Sequence, residues 1–257
     1  MQFSVLGSGS KGNSVLVTSG GTSVLIDAGF SGIDLQNRLA AIGYTGEQLN
    51  ALLVTHEHHD HVKGVGVLAR RFKLPVYANA STHVAAEKCT GVINVRREFE
   101  VGNSFEIGTL SIRPFSLCHD AVDPVGFLIS DGRVSFGYCT DTGKVTKLVA
   151  HHLRECRGLV LEANHDPDML FNGPYPMPLK QRIRSNQGHL ANEDAGSLLA
   201  RLVTGNVLQH VVLAHLSEAN NDPSLALATV RDYLKGREGL TIGIAGQDLP
   251  GELITLG

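Results

Sequence analysis

Apolar positions along the chain follow two periods in turn. "FSVL" (Phe3–Leu6), "SVLVT" (Ser14–Thr18) and "SVLID" (Ser23–Asp27) are short β-branched runs parted by Gly-Ser and Gly-Gly turns, which predicts three antiparallel strands. A helical pattern follows from about Ile33 to Ile42. Ala51–Thr55 is then a fully apolar strand, and Val62–Phe72 reads as a second helix.

The second half mixes the same elements. Strands from Phe105 and at Leu110–Phe115, Val125–Ser130 and Arg133–Thr140 form a meander. Gly158–Asn164 and His210–His215 read as buried strands. Asn192 is placed to cap a helix reaching about Val203, and Pro223–Leu234 is another helix. Phe171–Gln187 is the one long irregular stretch, expected to be a mobile loop or short helix near the functional site. Two halves, each with its own sheet, predict an α/β fold in which helices cover two packed sheets in four layers. No linker divides the chain, so residues 1–257 are expected to form a single domain.

Composition narrows this picture. A chain of 257 residues with 42% hydrophobic content can bury a substantial core. The net charge of −3 gives neither a global basic field nor an acidic tail. Cys89, Cys118, Cys139 and Cys156 form no C-x-x-C pair, and are expected to be reduced, mostly buried thiols of a cytoplasmic protein. The N-terminus lacks the basic and apolar regions of a signal peptide, and no apolar run approaches ~18 residues, so no membrane partner is expected. Gly7, Gly9 and Gly12 match a dinucleotide fingerprint, but strands follow them instead of a helix, so no nucleotide cofactor is expected. The loop amides around Ser8, Ser10 and Asn13 are candidate contacts for a phosphate.

The strongest chemical signal is "LLVTHEHHDHVKG" (Leu52–Gly64), which crowds four histidines and an aspartate into His56–His61. His56 and His58 lie two apart beyond a strand end, where extended backbone sends both to one side. Asp60 and His61 follow as the chain turns into a helix, where neighbours diverge by roughly 100°. One cation can take His56 and His58, and a second Asp60 and His61. Imidazole with carboxylate suits zinc, manganese or iron. His59 reads as an outer or exposed residue.

"THEHHDH" resembles the signature of the metallo-β-lactamase superfamily, whose members share an αββα sandwich. The resemblance implies a structural role for Asp27 behind the metal histidines. It adds His119 in "SLCHDAVDPVGF", Asp141 in "GYCTDTG" and His215 in "VLAHLSEANN" as ligands. One metal would be held by His56, His58, His119 and Asp141, and the other by Asp60, His61, His215 and the bridging Asp141. Within the superfamily, "LGSGSKGNSVLV", "HDAVDPVGF", "LEANHDPDML" and "GHLANEDAG" resemble the YycJ/WalJ-type exonuclease group over essentially the whole chain. That implies a 5′→3′ DNA exonuclease with a role in DNA repair and two divalent ions, zinc or manganese. A metal-bridged hydroxide, oriented by Asp60, would cleave the phosphodiester.

"LEAN…GHLANEDA…LAHLS" is also similar to ribonuclease Z, which implies that His189 is the proton donor. His165 in "NHD" is either a phosphate contact or a satisfied polar residue. Lys180, Arg182 and Arg184, ahead of His189, are candidate contacts to a nucleic-acid backbone. The alternative reading is another metal-dependent hydrolase of the same scaffold: a ribonuclease, cyclic phosphodiesterase, lactonase or thioesterase. An oxygen-reducing diiron protein is disfavoured by His58, where that group carries glutamate. A DNA-binding module without catalysis is disfavoured because every ligand position is filled. The oligomeric state stays open.

Overall fold

A computed structural model describes residues 1–205, 207–235 and 239–257. The first half runs β1 (Gln2–Gly7), β2 (Ser14–Ser19), β3 (Thr22–Ile26), α1 (Gly32–Ala41), β4 (Ala51–Leu53), α2 (His59–Val62), α3 (Val65–Phe72), β5 (Val76–Ala78), α4 (Ala80–Thr90) and β6 (Arg96–Glu98). The second continues with β7 (Phe105–Ile107), β8 (Leu110–Ser116), β9 (Val125–Ser130), β10 (Ser135–Cys139), α5 (Lys147–Leu153), β11 (Gly158–Glu162), α6 (Pro167–Asn172), α7 (Met177–Ile183), α8 (Asn192–Leu202), β12 (His210–Ala214), α9 (Pro223–Tyr233), β13 (Thr241–Ile244) and β14 (Ile254–Thr255).

Each half builds one mixed sheet, and β14 of the second half crosses over to the edge of the first. The first has the order β14-β1-β2-β3-β4-β5-β6, antiparallel up to β3 and parallel from β3 to β6. The second has the order β13-β12-β11-β10-β9-β8-β7, an antiparallel meander over β7–β10 and parallel from β10 to β13.

Side-chain alternation explains why the strands read as unbroken apolar runs. Val15, Val17, Val24, Ile26 and Leu53 pack inward against Ile112, Phe127, Tyr138, Val160 and Val212 of the other sheet. Their neighbours Leu16, Leu25 and Leu52 face outward onto Leu35 and Leu39 of α1 and Leu68 of α3. On the far side, Leu159, Leu161 and Leu213 meet Leu153 of α5, Leu198 and Leu199 of α8, and Val230 of α9. Central strands are thus buried on both faces, and each such side chain contributes roughly 1.5–3 kcal/mol. The result is the four-layer αββα sandwich that the sequence predicts. No helix among the described residues is long and apolar enough to cross a membrane.

Several elements differ from their sequence-based expectation. The helix expected over Val62–Phe72 is two pieces, α2 and α3, which part at Lys63–Gly64. There the Gly64 amide donates to Ala28 O at 2.7 Å, and a Cβ on Gly64 would lie 2.4 Å from Phe30 O. Ala191, not Asn192, holds the N-cap of α8; the buried Asn192 amide instead donates to Asn221 Oδ1 at 2.9 Å. The stretch 171–187 holds the end of α6 and all of α7. The helices α4 to α6 and the short strands β5, β6, β13 and β14 carry too little periodicity to be predicted.

The site is positioned at the carboxyl ends of the central strands, where ligands gather in parallel sheets. Gly29, just past β3, sets one of these approaches. A Cβ there would lie 1.7 Å from Asp60 O, the atom that accepts the Asn13 amide at 2.8 Å. Gly29→Ala is therefore expected to cost at least about 1–3 kcal/mol, the usual range for overpacking, and to displace Asp60. Gly205→Ala, with nothing among the described residues within 4 Å of its added carbon, is the control. Urea unfolding checks this, and equal midpoints for the two variants would contradict the close approach.

Candidate metal centre

Six segments deliver the site. Asp27, Asp141 and His215 each follow a central strand directly or after one residue, and each adopts a left-handed backbone, with φ of 56°, 59° and 56°. A non-glycine residue in this region costs of order 1–3 kcal/mol and persists only where its surroundings impose it. Here the sharp turn aims each side chain back across the strand ends. The His56–His61 segment leaves β4, His119 lies in the β8–β9 loop, and Glu162 ends β11.

The ring nitrogens converge. His56 Nε2 is 3.1 Å from His58 Nδ1, which is 3.3 Å from His119 Nε2. Asp60 Oδ2 is 3.5 Å from His61 Nε2 and 3.8 Å from His215 Nε2. Asp141 lies between the two sets, with Oδ2 3.3 Å from His61 Nε2 and Oδ1 3.8 Å from His119 Nε2. His56–His58–His119 and Asp60–His61–His215 each bring one donor atom per residue within 4.8 Å of the others.

Outer partners fix the tautomers. Thr55 Oγ1 donates to Asp27 Oδ2 at 2.9 Å, so it accepts from His56 Nδ1–H at 2.9 Å. His61 Nδ1 faces Asp27 Oδ2 at 2.8 Å, and His119 Nδ1 faces Gly188 O at 3.0 Å. His215 Nδ1 faces Glu162 Oε1 at 2.9 Å. Each acceptor draws the ring proton to Nδ1 and turns the Nε2 lone pair toward the centre, as metal-ligating histidines require. Lone pairs facing one another repel unless a cation or proton lies between them.

The electrostatics agree. Burial alone would raise Asp141, but His215 and His61 hold it well below the usual carboxylate range. Burial alone would lower His61 and His215, but Asp141 and neighbouring carboxylates push both well above the ordinary histidine value. The same negative potential attracts cations. Asp141 Oδ2 is buried and has no hydrogen-bond partner among the described residues, so it is an open ligand position. These residues fit a divalent-metal centre.

Glu162 is the member of this site that sequence reasoning missed. Its Oε1 takes both His189 Nδ1, at 2.7 Å, and His215 Nδ1. Its Oε2 accepts the amides of Thr142 and Leu190 at 2.9 and 3.1 Å. Although burial opposes ionisation, the charge of His189 and the hydrogen bonds to His189 and His215 pull the carboxyl down to about 2. The available signal was a carboxylate inside the apolar run "GLVLE", which must be paired if it is buried.

His189 joins the cluster through Glu162 and lines the cleft above it together with Ser10, Arg182 and Asp60. The remaining candidates fall elsewhere. Asn13 is fully buried and donates to Asp60 Oδ2 at 3.1 Å, so it braces a site residue instead of facing the cleft. The amides of Ser8, Gly9, Lys11, Gly12 and Asn13 all donate within the protein, and of this loop Ser10 alone engages no partner among the described residues. His165 is buried, outside the cleft lining, and burial pushes its ring down to about 4. Arg182 pairs with Asp120 at the cleft, Lys180 donates to Phe171 O at 2.7 Å, and Arg184 is exposed. His59 is exposed, 3.4 Å from Cys89 Sγ. All four cysteines are free; Cys139 and Cys156 are buried, whereas Cys89 is exposed and Cys118 half-buried.

Two sheets between helices, with a histidine–aspartate cluster across their strand ends, define a metallo-β-lactamase-fold hydrolase. A family model described as beta-lactamase superfamily domain matches residues 22–215. Exodeoxyribonuclease WalJ of Streptococcus pneumoniae serotype 2 is 39% identical over 247 residues, 95% of this chain and 91% of that protein. Exodeoxyribonuclease YycJ of Bacillus anthracis is 38% identical over 95% of this chain and 93% of its own length. The chain belongs to the beta-lactamase superfamily and, within it, to the WalJ/YycJ family. Among solved structures, the metallo-beta-lactamase fold protein YhfI from Bacillus subtilis superposes with a TM-score of 0.73 at 21% identity, over 97% of this chain and 98% of that one.

Proposed function

We propose that the protein is a 5′→3′ DNA exonuclease that uses two divalent cations, zinc or manganese, and acts in DNA repair in the cytoplasm. One observation carries the chemistry: two sets of inward lone pairs meet at the shared carboxylate of Asp141. His56, His58 and His119 would hold one cation, Asp60, His61 and His215 the other, and Asp141 both. DNA as substrate, and attack from an end, are supported by the names of the two relatives. The intersheet core draws on both halves of the chain, which supports a single domain over 1–257. The four free thiols suit a reducing compartment.

Two bound cations supply Lewis-acid charge and lower the pKa of water toward ~7. The protein's part is orientation and proton transfer. Asp60, with its side chain partly open to the cleft and braced by Asn13, orients the attacking water. His189, its Nδ1 held by Glu162, presents Nε2 as the free nitrogen that protonates the departing sugar oxygen. Arg182 and Arg184 lie on α7 and its C-cap, where they can meet backbone phosphates with no sequence preference. Ser10, with its unengaged amide at the cleft, is a further phosphate contact.

The test is digestion of linear DNA and RNA of one sequence, labelled at either end, with Mn²⁺ or Zn²⁺. DNA labelled at the 5′ end should release label as mononucleotide from the first time point. DNA labelled at the 3′ end should give a shortening ladder, and RNA should persist. Release from the 3′ end would reverse the polarity, and faster loss of RNA would make the protein a ribonuclease.

A further inference from the structure

Beside the cluster opens a cavity of about 200 Å³ that none of the steps above uses. His189 and His215 line both this cavity and the cleft over the cluster, so the two spaces adjoin. Tyr175, Leu179 and Ile183 give it an aromatic and aliphatic lining, and Ser10, Asn164 and Ser217 contribute neutral polar groups. Its one guanidinium, Arg182, is shared between Asp120 and the DNA strand's backbone phosphates, which leaves no cation for a second phosphate. An aromatic face, aliphatic carbon and uncharged hydroxyls suit a nucleoside better than a second phosphate.

The backbone that carries Tyr175 is constrained from both sides. It stands between Pro174 and Pro176, and a residue preceding proline is held extended. The adjoining Gly173 packs so closely that a Cβ would lie 2.2 Å from Asn220 Oδ1. Lys180 Nζ, bonded to Phe171 O, ties α7 back to α6 across the same turn. A base stacking on this ring meets a platform whose backbone is already held in place.

We propose that this cavity holds the terminal nucleoside of the strand under attack, its base stacked on Tyr175. The inference rests on the exonuclease reading above. It assigns the phosphodiester between the first and second nucleotides to the cluster. At about 200 Å³ the cavity has room for a single base and its sugar beside the cleft.

The test compares linear single-stranded DNA whose 5′-terminal nucleotide carries a base with the same strand ending in an abasic nucleotide. Base–aromatic stacking predicts that the wild type has a kcat/KM about five- to hundredfold higher on the base-bearing end. Tyr175→Ala should lose that factor and treat both ends alike, whereas Tyr175→Phe keeps it. The abasic end, which offers no ring to stack, should be cleaved at the same rate by all three proteins, and this separates lost stacking from lost folding; bis-p-nitrophenyl phosphate serves as a small diester for the wild type alone. Equal wild-type rates on the two ends, or discrimination that survives Tyr175→Ala, would overturn the assignment. A wild type that hydrolyses the small diester but releases no mononucleotide from DNA would remove the exonuclease reading itself, and with it the cavity's occupant.

Discussion

Asp141→Asn is expected to lower DNA hydrolysis by about a thousandfold or more and to reduce the metal bound per chain. The carboxylate lies between the two donor sets, 3.3 Å from His61 Nε2 on one side and 3.8 Å from His119 Nε2 on the other. Asparagine keeps the shape but loses the charge. It also turns one oxygen into an N–H₂ group that donates to an inward lone pair where a cation would otherwise be held. Charge stabilisation at such a centre is worth several kcal/mol, and each 1.36 kcal/mol is tenfold in rate. Asparagine is also the substitution the backbone tolerates best, because Asn and Asp are the non-glycine residues most at ease near a φ of 59°. A folded variant is therefore expected, with an unchanged circular dichroism spectrum. Elemental analysis and rate measurement on one preparation decide the matter. Full metal occupancy with wild-type turnover would remove Asp141 from the centre.

The legible parts of this molecule were those where one local rule had no competitor. Leu16 between Val15 and Val17, and Leu161 after Val160, alternate between two buried faces, so apolar run and strand coincide. His56, His58, Asp60 and His61 stood out by density, whereas His119, Asp141 and His215 came from the resemblance to the metallo-β-lactamase superfamily. What escaped notice depended on contacts distant in sequence. Nothing near Gly64 reveals that its helix must break; the cause is the 28–30 segment passing against it. The glycine-rich loop makes Asn13 look like a phosphate contact, but its side-chain amide is taken up by Gly9 O and by Asp60 and His61, 47 and 48 residues away. Glu162 hid inside a strand signature, its partners Leu190 and His215 lying 28 and 53 residues onward. The α4 sequence "ASTHVAAEKCT" spreads its apolar residues around the helix, so its period is faint.

His189→Ala is expected to slow DNA cleavage by about a hundred- to ten-thousandfold, the usual worth of a positioned general acid, while leaving bound metal unchanged. Two roles compete for this ring. Its Nδ1 faces Glu162 Oε1 at 2.7 Å and lies 3.8 Å from Asp141 Oδ1, close enough for Asp141, Glu162, His189 and His215 to form a donor group of their own. The geometry favours the proton donor. Glu162 already spends Oε1 on two imidazoles and Oε2 on the amides of Thr142 and Leu190, which leaves it no position for a cation. That engagement fixes the His189 ring and frees Nε2 for the leaving oxygen. The two roles also differ in how they respond to the leaving group. A sugar alkoxide needs a proton to depart, whereas p-nitrophenolate leaves without one. The variant should therefore be crippled on DNA and far less affected on bis-p-nitrophenyl phosphate. Equal loss on both substrates, accompanied by a fall in metal content, would make His189 a ligand; undiminished DNA digestion would remove it from the reaction altogether.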